Sequence, residues 1–177
     1  MVLHILTAVT RPENLPKLAE SLIPAATAGV ELAWHLGYDL ERRHVAGQAV
    51  KNRLLDRIGP GRDWVWILDD DNTAHPEFFR RLTETVAANP DLRLIACTQT
   101  VPSGWCRTID PESLKACRID AAQAVIRRDA IGDHRLREVY AGDSHWIEAI
   151  AKALDPQQIA YIHDAVVHYN WLRPAEV

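Results

Sequence analysis

The sequence predicts an α/β fold, a β-sheet flanked by helices, and three observations lead there. Short apolar runs alternate along the chain with amphipathic stretches of helical period. One run, Trp64-Val65-Trp66-Ile67-Leu68, is apolar at every position, so its strand is expected to be buried on both faces, in the middle of a sheet covered by helices. The chain has 177 residues, 47% hydrophobic and 25% charged, enough for one well-buried core. A single domain over 1–177 is expected, with no repeat, low-complexity run or linker.

The elements follow in order. A first strand covers 2–9. The polar break Thr10-Arg11-Pro12-Glu13-Asn14 ends it, and Leu15, Leu18, Leu22 and Ile23 then mark one face of a helix. A second strand covers 31–36, a helix 47–58 is closed by Gly59-Pro60-Gly61, and the fully apolar strand covers 64–68. Repeated βα units of this length favour parallel pairing with right-handed crossovers. A helix over 76–88, a strand over 92–97, an irregular stretch over 98–111, a strand over 119–126, a helix over 143–154 and a strand over 159–167 complete the chain.

Charge and cysteine usage narrow the function. Twenty basic against 24 acidic residues leave a formal net charge of −4, which gives no electrostatic footprint for DNA, RNA or anionic lipid. Three cysteines, Cys97, Cys106 and Cys117, are an odd number without C-x-x-C spacing, which argues against a disulfide framework and a zinc knuckle and for a reducing compartment. The apolar start is too short for a secretory signal, and no stretch approaches the ~20 apolar residues of a membrane span. A cytoplasmic protein is expected. Six Trp against two Phe is an unusual aromatic balance, suited to a core or to platforms for sugar rings.

The strongest chemical feature is Asp69-Asp70-Asp71-Asn72-Thr73, placed where the buried strand leaves the sheet. Ligands of open α/β sheets gather at that edge. Three adjacent carboxylates repel one another, and a divalent cation relieves the repulsion; oxygen ligands suit Mg²⁺ or Mn²⁺. The plainer reading is an Asp/Asn-rich turn that caps the next helix, a role one Asp would fill. Ala141-Gly142-Asp143-Ser144-His145 opens the late helix, where Asp143 is either an N-cap or a general base. His168 follows the last apolar strand, where an imidazole could meet a metal or a phosphate oxygen. Lys51 and Arg53, early in their helix, could hold a phosphate or ribose, or simply form a solvated face. Asp39 and Asp120 are isolated acids whose weight comes from their order along the chain.

That order resembles a nucleotide-sugar glycosyltransferase of the GT-A fold, a mixed sheet flanked by helices. Thr7-Ala8-Val9-Thr10-Arg11-Pro12 resembles the first nucleotide-binding strand and loop of that fold, and Asp69-Asp70-Asp71 resembles its DxD metal motif. The spelling Asp-Asp-Asp-Asn-Thr is similar to that of the animal β-1,3-glucuronyltransferases (family 43), with family 2 transferases as the broader comparison. The resemblance implies a UDP-sugar donor and Mn²⁺ or Mg²⁺. Thr7, Thr10, Arg11, Asp39, Lys51, Asp69 and Asp70 would bind the nucleotide, and Asp71, Asp70 and His168 would serve the metal. Asp120, Trp105 and Trp146 would face a hydroxyl acceptor, a glycan, with Trp171 a further platform. Asp143 stands where the glucuronyltransferases carry a glutamate base and family 2 enzymes an aspartate, which implies an inverting transfer. A second copy of the chain is allowed as a partner, and glucuronic acid and a Golgi location are not carried over.

Two other readings compete. Asp69-x-Asp71-x-Thr73 also fits the DxDxT nucleophile motif of haloacid-dehalogenase-type phosphatases, although two βα units precede it here. A non-catalytic nucleotide-sugar or glycan-binding module would keep the same fold without turnover.

Overall fold

The computed structural model describes residues 1–42 and 44–173. β1 (Val2–Val9) passes through a 3-10 turn at Pro12–Asn14 into α1 (Leu15–Leu22), whose Leu18 and Leu22 are buried at the spacing that predicted them. α2 (Pro24–Thr27) leads to β2 (Glu31–Tyr38), and α3 (Gln48–Leu55) to β3 (Trp64–Ile67). Beyond the acid triplet come β4 (Thr73–Ala74), α4 (Phe78–Ala88), β5 (Leu94–Thr100) and β6 (Cys106–Arg107). β7 (Ala124–Arg127), α5 (Arg128–Ile131), α6 (Gly142–Lys152) and β8 (Ile159–His168) complete the described chain.

One sheet in the order β2-β1-β3-β7-β5-β8-β4 carries all of this, with β6 paired to the end of β5. β1 runs parallel to both β2 and β3, and β5 parallel to β8, as βα crossovers require. β7 runs antiparallel to β3 and to β5, so parallel pairing does not extend through the sheet and the mixed sheet implied by the resemblance is the observed one. The strand expected over 119–126 is also shorter. Its first part is a 3-10 turn at Ala121–Gln123 in which Asp120 accepts from Ala122 N and Gln123 returns to Asp120 N. That capping box draws the backbone out of the ladder until Ala124. β4 and β6, two residues each, carry no periodic signal and were not foreseen.

The all-apolar strand lies between two cores, as its composition demands. Trp64 and Trp66 pack on one face with Leu3, Ile5, Phe78 and Phe79, while Val65 and Ile67 pack on the other with Leu6, Leu54 and Ile147. Trp66 is fully buried, stacks on Phe78 at 4.1 Å between centroids and donates its indole N–H to Ala122 O at 2.8 Å. Such a clamp fixes both rings in one rotamer. Among the described residues no helix is long and apolar enough to cross a membrane. Cys97, buried, and Cys106 and Cys117, exposed, are free.

Candidate active site

The parallel strands β1 and β3 end side by side, and their first loops lock together. Asp70, only 2% exposed, accepts from the backbone N–H groups of Thr10 and Arg11, from Thr10 Oγ1 at 3.1 Å and from Arg11 Nη1 at 3.1 Å. So engaged, Asp70 shapes the loop after β1. Its expected metal role draws no support from these bonds. Asp69 and Asp71, like Asp70, line the cleft that opens beyond the strand ends.

That cleft has two chambers. The first, about 200 Å³, is lined by Ala8, Thr10, Arg11, Ala46, Gly47 and the acid triplet. The second, about 370 Å³, includes Lys51, Asp120, Asp143, Arg107 and Tyr169. Asp69, Asp71, Ala46 and Arg173 line both, so the acids stand at the waist. Gly47 makes the wall possible. Its φ is +65°, and a Cβ there would lie 2.5 Å from Ala8 Cβ.

Lys51 reaches the waist from α3. Its Nζ lies 2.7 Å from Asp69 Oδ1, and its side chain is only 2% exposed. Burial alone would lower its pKa, but the attraction and hydrogen bond of Asp69, with Asp143 and Asp120 beyond, prevail and hold it above the ordinary lysine value. Asp120 shows the converse. Burial, then the carboxylates of Asp143 and Asp69, push it up to about 7 against the hydrogen bond from Ala122 and the charge of Lys51. Asp143 sits in the first turn of α6, where the helix dipole favours an acid. Its Oδ1 accepts from Ser144 N at 2.8 Å and its Oδ2 from Ala121 N at 3.1 Å. Gly142 lets α6 come this close: a Cβ there would lie 2.0 Å from Arg137 O and 2.1 Å from Gln48 Oε1.

The chain end returns to the same place. β4 pairs with the last residues of β8, bringing residues 168–173 beside the triplet. Leu172 N donates to Asp71 O at 2.9 Å, Asn170 N to Asn72 Oδ1 at 2.8 Å, and Arg173 Nε to Asp71 Oδ2 at 2.6 Å. Arg173 was not foreseen, because a basic residue after the last strand carries no motif. Arg107, inside the stretch expected to be irregular, and Tyr169, just after His168, carry no motif either.

The remaining expected site residues divide. Thr10, Arg11, Lys51, Asp69, Asp71, Asp120 and Asp143 all line the cleft. Asp39 lies at the base of the adjoining 39–47 loop, accepting from His44 N at 3.1 Å. Thr7 is buried beneath, donating to Leu68 O and accepting from the Trp34 indole, so it supports the floor and does not line it. His168 bonds to Thr73 Oγ1 at 3.2 Å and stacks on Trp171 at 4.2 Å, outside the cleft lining. Its expected metal role has no support from this placement. Trp146 is 4% exposed within the core beside α3, which removes it as an acceptor platform. Trp105 is 58% exposed on the β5–β6 turn, next to but not lining the larger chamber. Among the described residues no group of three or more His, Cys, Asp or Glu side chains is placed to hold a metal ion by itself.

No protein-family model matches the chain, and no curated protein matches it in sequence. Solved structures do. The catalytic domain of Drosophila beta1,4-galactosyltransferase 7, in complex with xylobiose, aligns at TM-score 0.59 and 11% identity over 92% of this chain and 65% of that one. Glucosyl-3-phosphoglycerate synthase from Mycobacterium tuberculosis, with Mn²⁺, UDP-glucose and phosphoglyceric acid, aligns at 0.58 and 16% identity over 94% and 71%. The fold is that of the GT-A glycosyltransferases. A glycosyltransferase involved in glycosylating the major capsid of PBCV-1 aligns at 0.54 and 13% identity, over 95% of this chain and 92% of that one. The chain therefore spans just under two thirds of the galactosyltransferase domain and nearly all of the viral enzyme.

Proposed function

We propose that this chain is a single-domain, metal-dependent, inverting glycosyltransferase that moves a sugar from a UDP-sugar to a hydroxyl acceptor in the cytoplasm. The observation that carries the reading is the two-chambered cleft with acids at its waist. The smaller chamber, walled by Thr10, Arg11 and the 44–47 loop, suits the nucleotide, and the larger, with Asp120 and Asp143, suits the sugar and acceptor. The three free thiols support a reducing compartment.

The donor set fits a divalent cation. Asp69 Oδ2 and Asp71 Oδ1 make no hydrogen bond or ion pair among the described residues, and both side chains line the cleft. Two carboxylates with phosphate and water oxygens suit Mg²⁺ or Mn²⁺, which keep several exchangeable ligands. A cation held by Asp69 and Asp71 would supply neutralisation of the charge that builds on the leaving diphosphate. The protein groups do the rest. Arg11 and Arg173, already on Asp71 at 3.3 and 2.6 Å, add positive charge at the same waist. Asp143, fixed by its two amide hydrogen bonds, takes the acceptor hydroxyl proton. The acceptor oxygen then bonds the anomeric carbon as the bond to the diphosphate oxygen breaks, and UDP departs with the bonding pair.

The test is UDP release from a panel of UDP-sugars with Mn²⁺, beside UDP binding by titration calorimetry. Asp143→Asn should lose about 100-fold or more in kcat with UDP affinity intact, while Asp71→Asn should lose Mn²⁺-dependent UDP affinity. Full activity in both variants would overturn the assignment. UDP binding by the parent without turnover on any acceptor would instead support a binding module.

A further inference from the structure

Arg107 lines the larger chamber and, among the described residues, pairs with no carboxylate. Lys51 is tied to Asp69 and Arg173 to Asp71, whereas Arg107 forms no ion pair among the described residues. Its guanidinium lies over the Tyr169 ring, 5.4 Å from the centroid, and both side chains line the chamber. Its guanidinium N–H groups make no hydrogen bond among the described residues, and the planar fork is the geometry that grips a carboxylate or phosphate through two parallel hydrogen bonds.

The ground beneath is polar as well. Arg107 faces Gln99 across the antiparallel pairing of β5 with β6, which puts both side chains on one face of the sheet. Gln99 is fully buried, and neither its amide nitrogen nor its amide oxygen has a hydrogen-bond partner among the described residues. An unpaired buried amide is a costly feature to place under a surface that meets only neutral groups. Asp120 accepts from Ala122 N and Asp143 from Ala121 N and Ser144 N, and neither pairs with Arg107 among the described residues. The chamber thus holds both a carboxylate, Asp143, and a cation with no ion pair among the described residues, Arg107.

We propose that Arg107 selects the acceptor, and that the acceptor is a small hydroxy compound bearing a carboxylate or phosphate group, its hydroxyl at Asp143 and its anionic group at Arg107. This rests on the transferase reading above.

The test is calorimetric titration of the protein, alone and saturated with UDP and Mg²⁺, with D-glycerate, glycerol 3-phosphate and neutral glycerol. The first two arms separate a carboxylate from a phosphate. Arg107→Gln should weaken the preferred anion by about tenfold or more, and Arg107→Lys should restore part of the loss. UDP affinity and melting temperature should stay as in the parent. In turnover, the same variant should raise KM for the anionic acceptor and leave kcat nearly unchanged. The proposal is overturned if neither anion binds the parent, if both bind Arg107→Gln equally well, or if that variant loses UDP affinity instead, which would assign Arg107 to the donor diphosphate. If the parent binds no UDP, the transferase reading falls on that ground, and the titration without UDP still decides whether Arg107 holds an anion.

Discussion

Replacing Lys51 by Met keeps an unbranched side chain, one atom shorter, and removes a buried cation from among the carboxylates of Asp69, Asp120 and Asp143. Deleting one partner of a buried ion pair costs about 3–5 kcal/mol, because the other charge is left uncompensated. Asp69 keeps 34% of its side chain exposed, so cleft water screens part of that penalty and about 3 kcal/mol is expected at pH 8. For a chain of this size each kcal/mol shifts Tm by about 2–4 °C, so melting should fall by roughly 6–12 °C.

The pH dependence is the sharper part of that prediction. Without Lys51, Asp69 retains burial and the charges of Asp71 and Asp143, all of which raise its pKa above the unfolded value of about 3.9. A folded state that holds a proton more tightly than the unfolded one loses stability as pH rises through the folded pKa. The deficit should therefore be greatest at pH 8 and shrink toward pH 5. Adding Asp69→Asn to the variant removes the stranded charge and should recover most of the loss. Thermal and urea melts at both pH values provide the assay. A deficit below about 1 kcal/mol at pH 8, a deficit that widens on acidification, or no recovery in the double variant would refute the electrostatic account.

Two other substitutions probe the same wall. Asp120 has its folded pKa pushed up to about 7, so the folded state keeps a proton that the unfolded chain releases near its ordinary value, and stability falls as pH rises through that window. Asp120→Asn mimics the protonated form and still accepts from Ala122 N; urea unfolding should show it more stable than the parent at pH 8 by about 1–2 kcal/mol, with the gain gone by pH 4. A less stable variant at pH 8 would contradict the assignment. Gly142→Ala drives a Cβ into the Arg137 carbonyl and the Gln48 side chain, costing about 1–3 kcal/mol and displacing the first turn of α6. Its kcat should fall with that of Asp143→Asn while UDP affinity holds, and unchanged turnover would show that Asp143 needs no such precise seat.

Much of the scaffold was readable because its signals are local. The apolar run from Trp64, the spacing of Leu18 and Leu22, and the acids at the end of β3 each declare themselves within a few residues, through period and burial. Failures came where a residue's partner lies far away. Trp146 and Trp105 look alike in sequence, yet α6 turns one into the core and the β5–β6 turn leaves the other in solvent. Asp69, Asp70 and Asp71 are chemically identical, and their roles separate only through Lys51, the Thr10 amide and Arg173, contributed by three other elements.

The sequence alone determined that a strand buried on both faces delivers an acid triplet to the carboxyl edge of an α/β sheet, since apolar period and residue chemistry act over short spans. Only the tertiary structure decided the mixed pairing through β7, the return of residues 168–173 to Asp71, and the placement of Arg107 over Tyr169 in the same chamber as Asp143. Those contacts join positions up to 102 residues apart, and packing of whole faces, rather than any local preference, sets which distant charges meet.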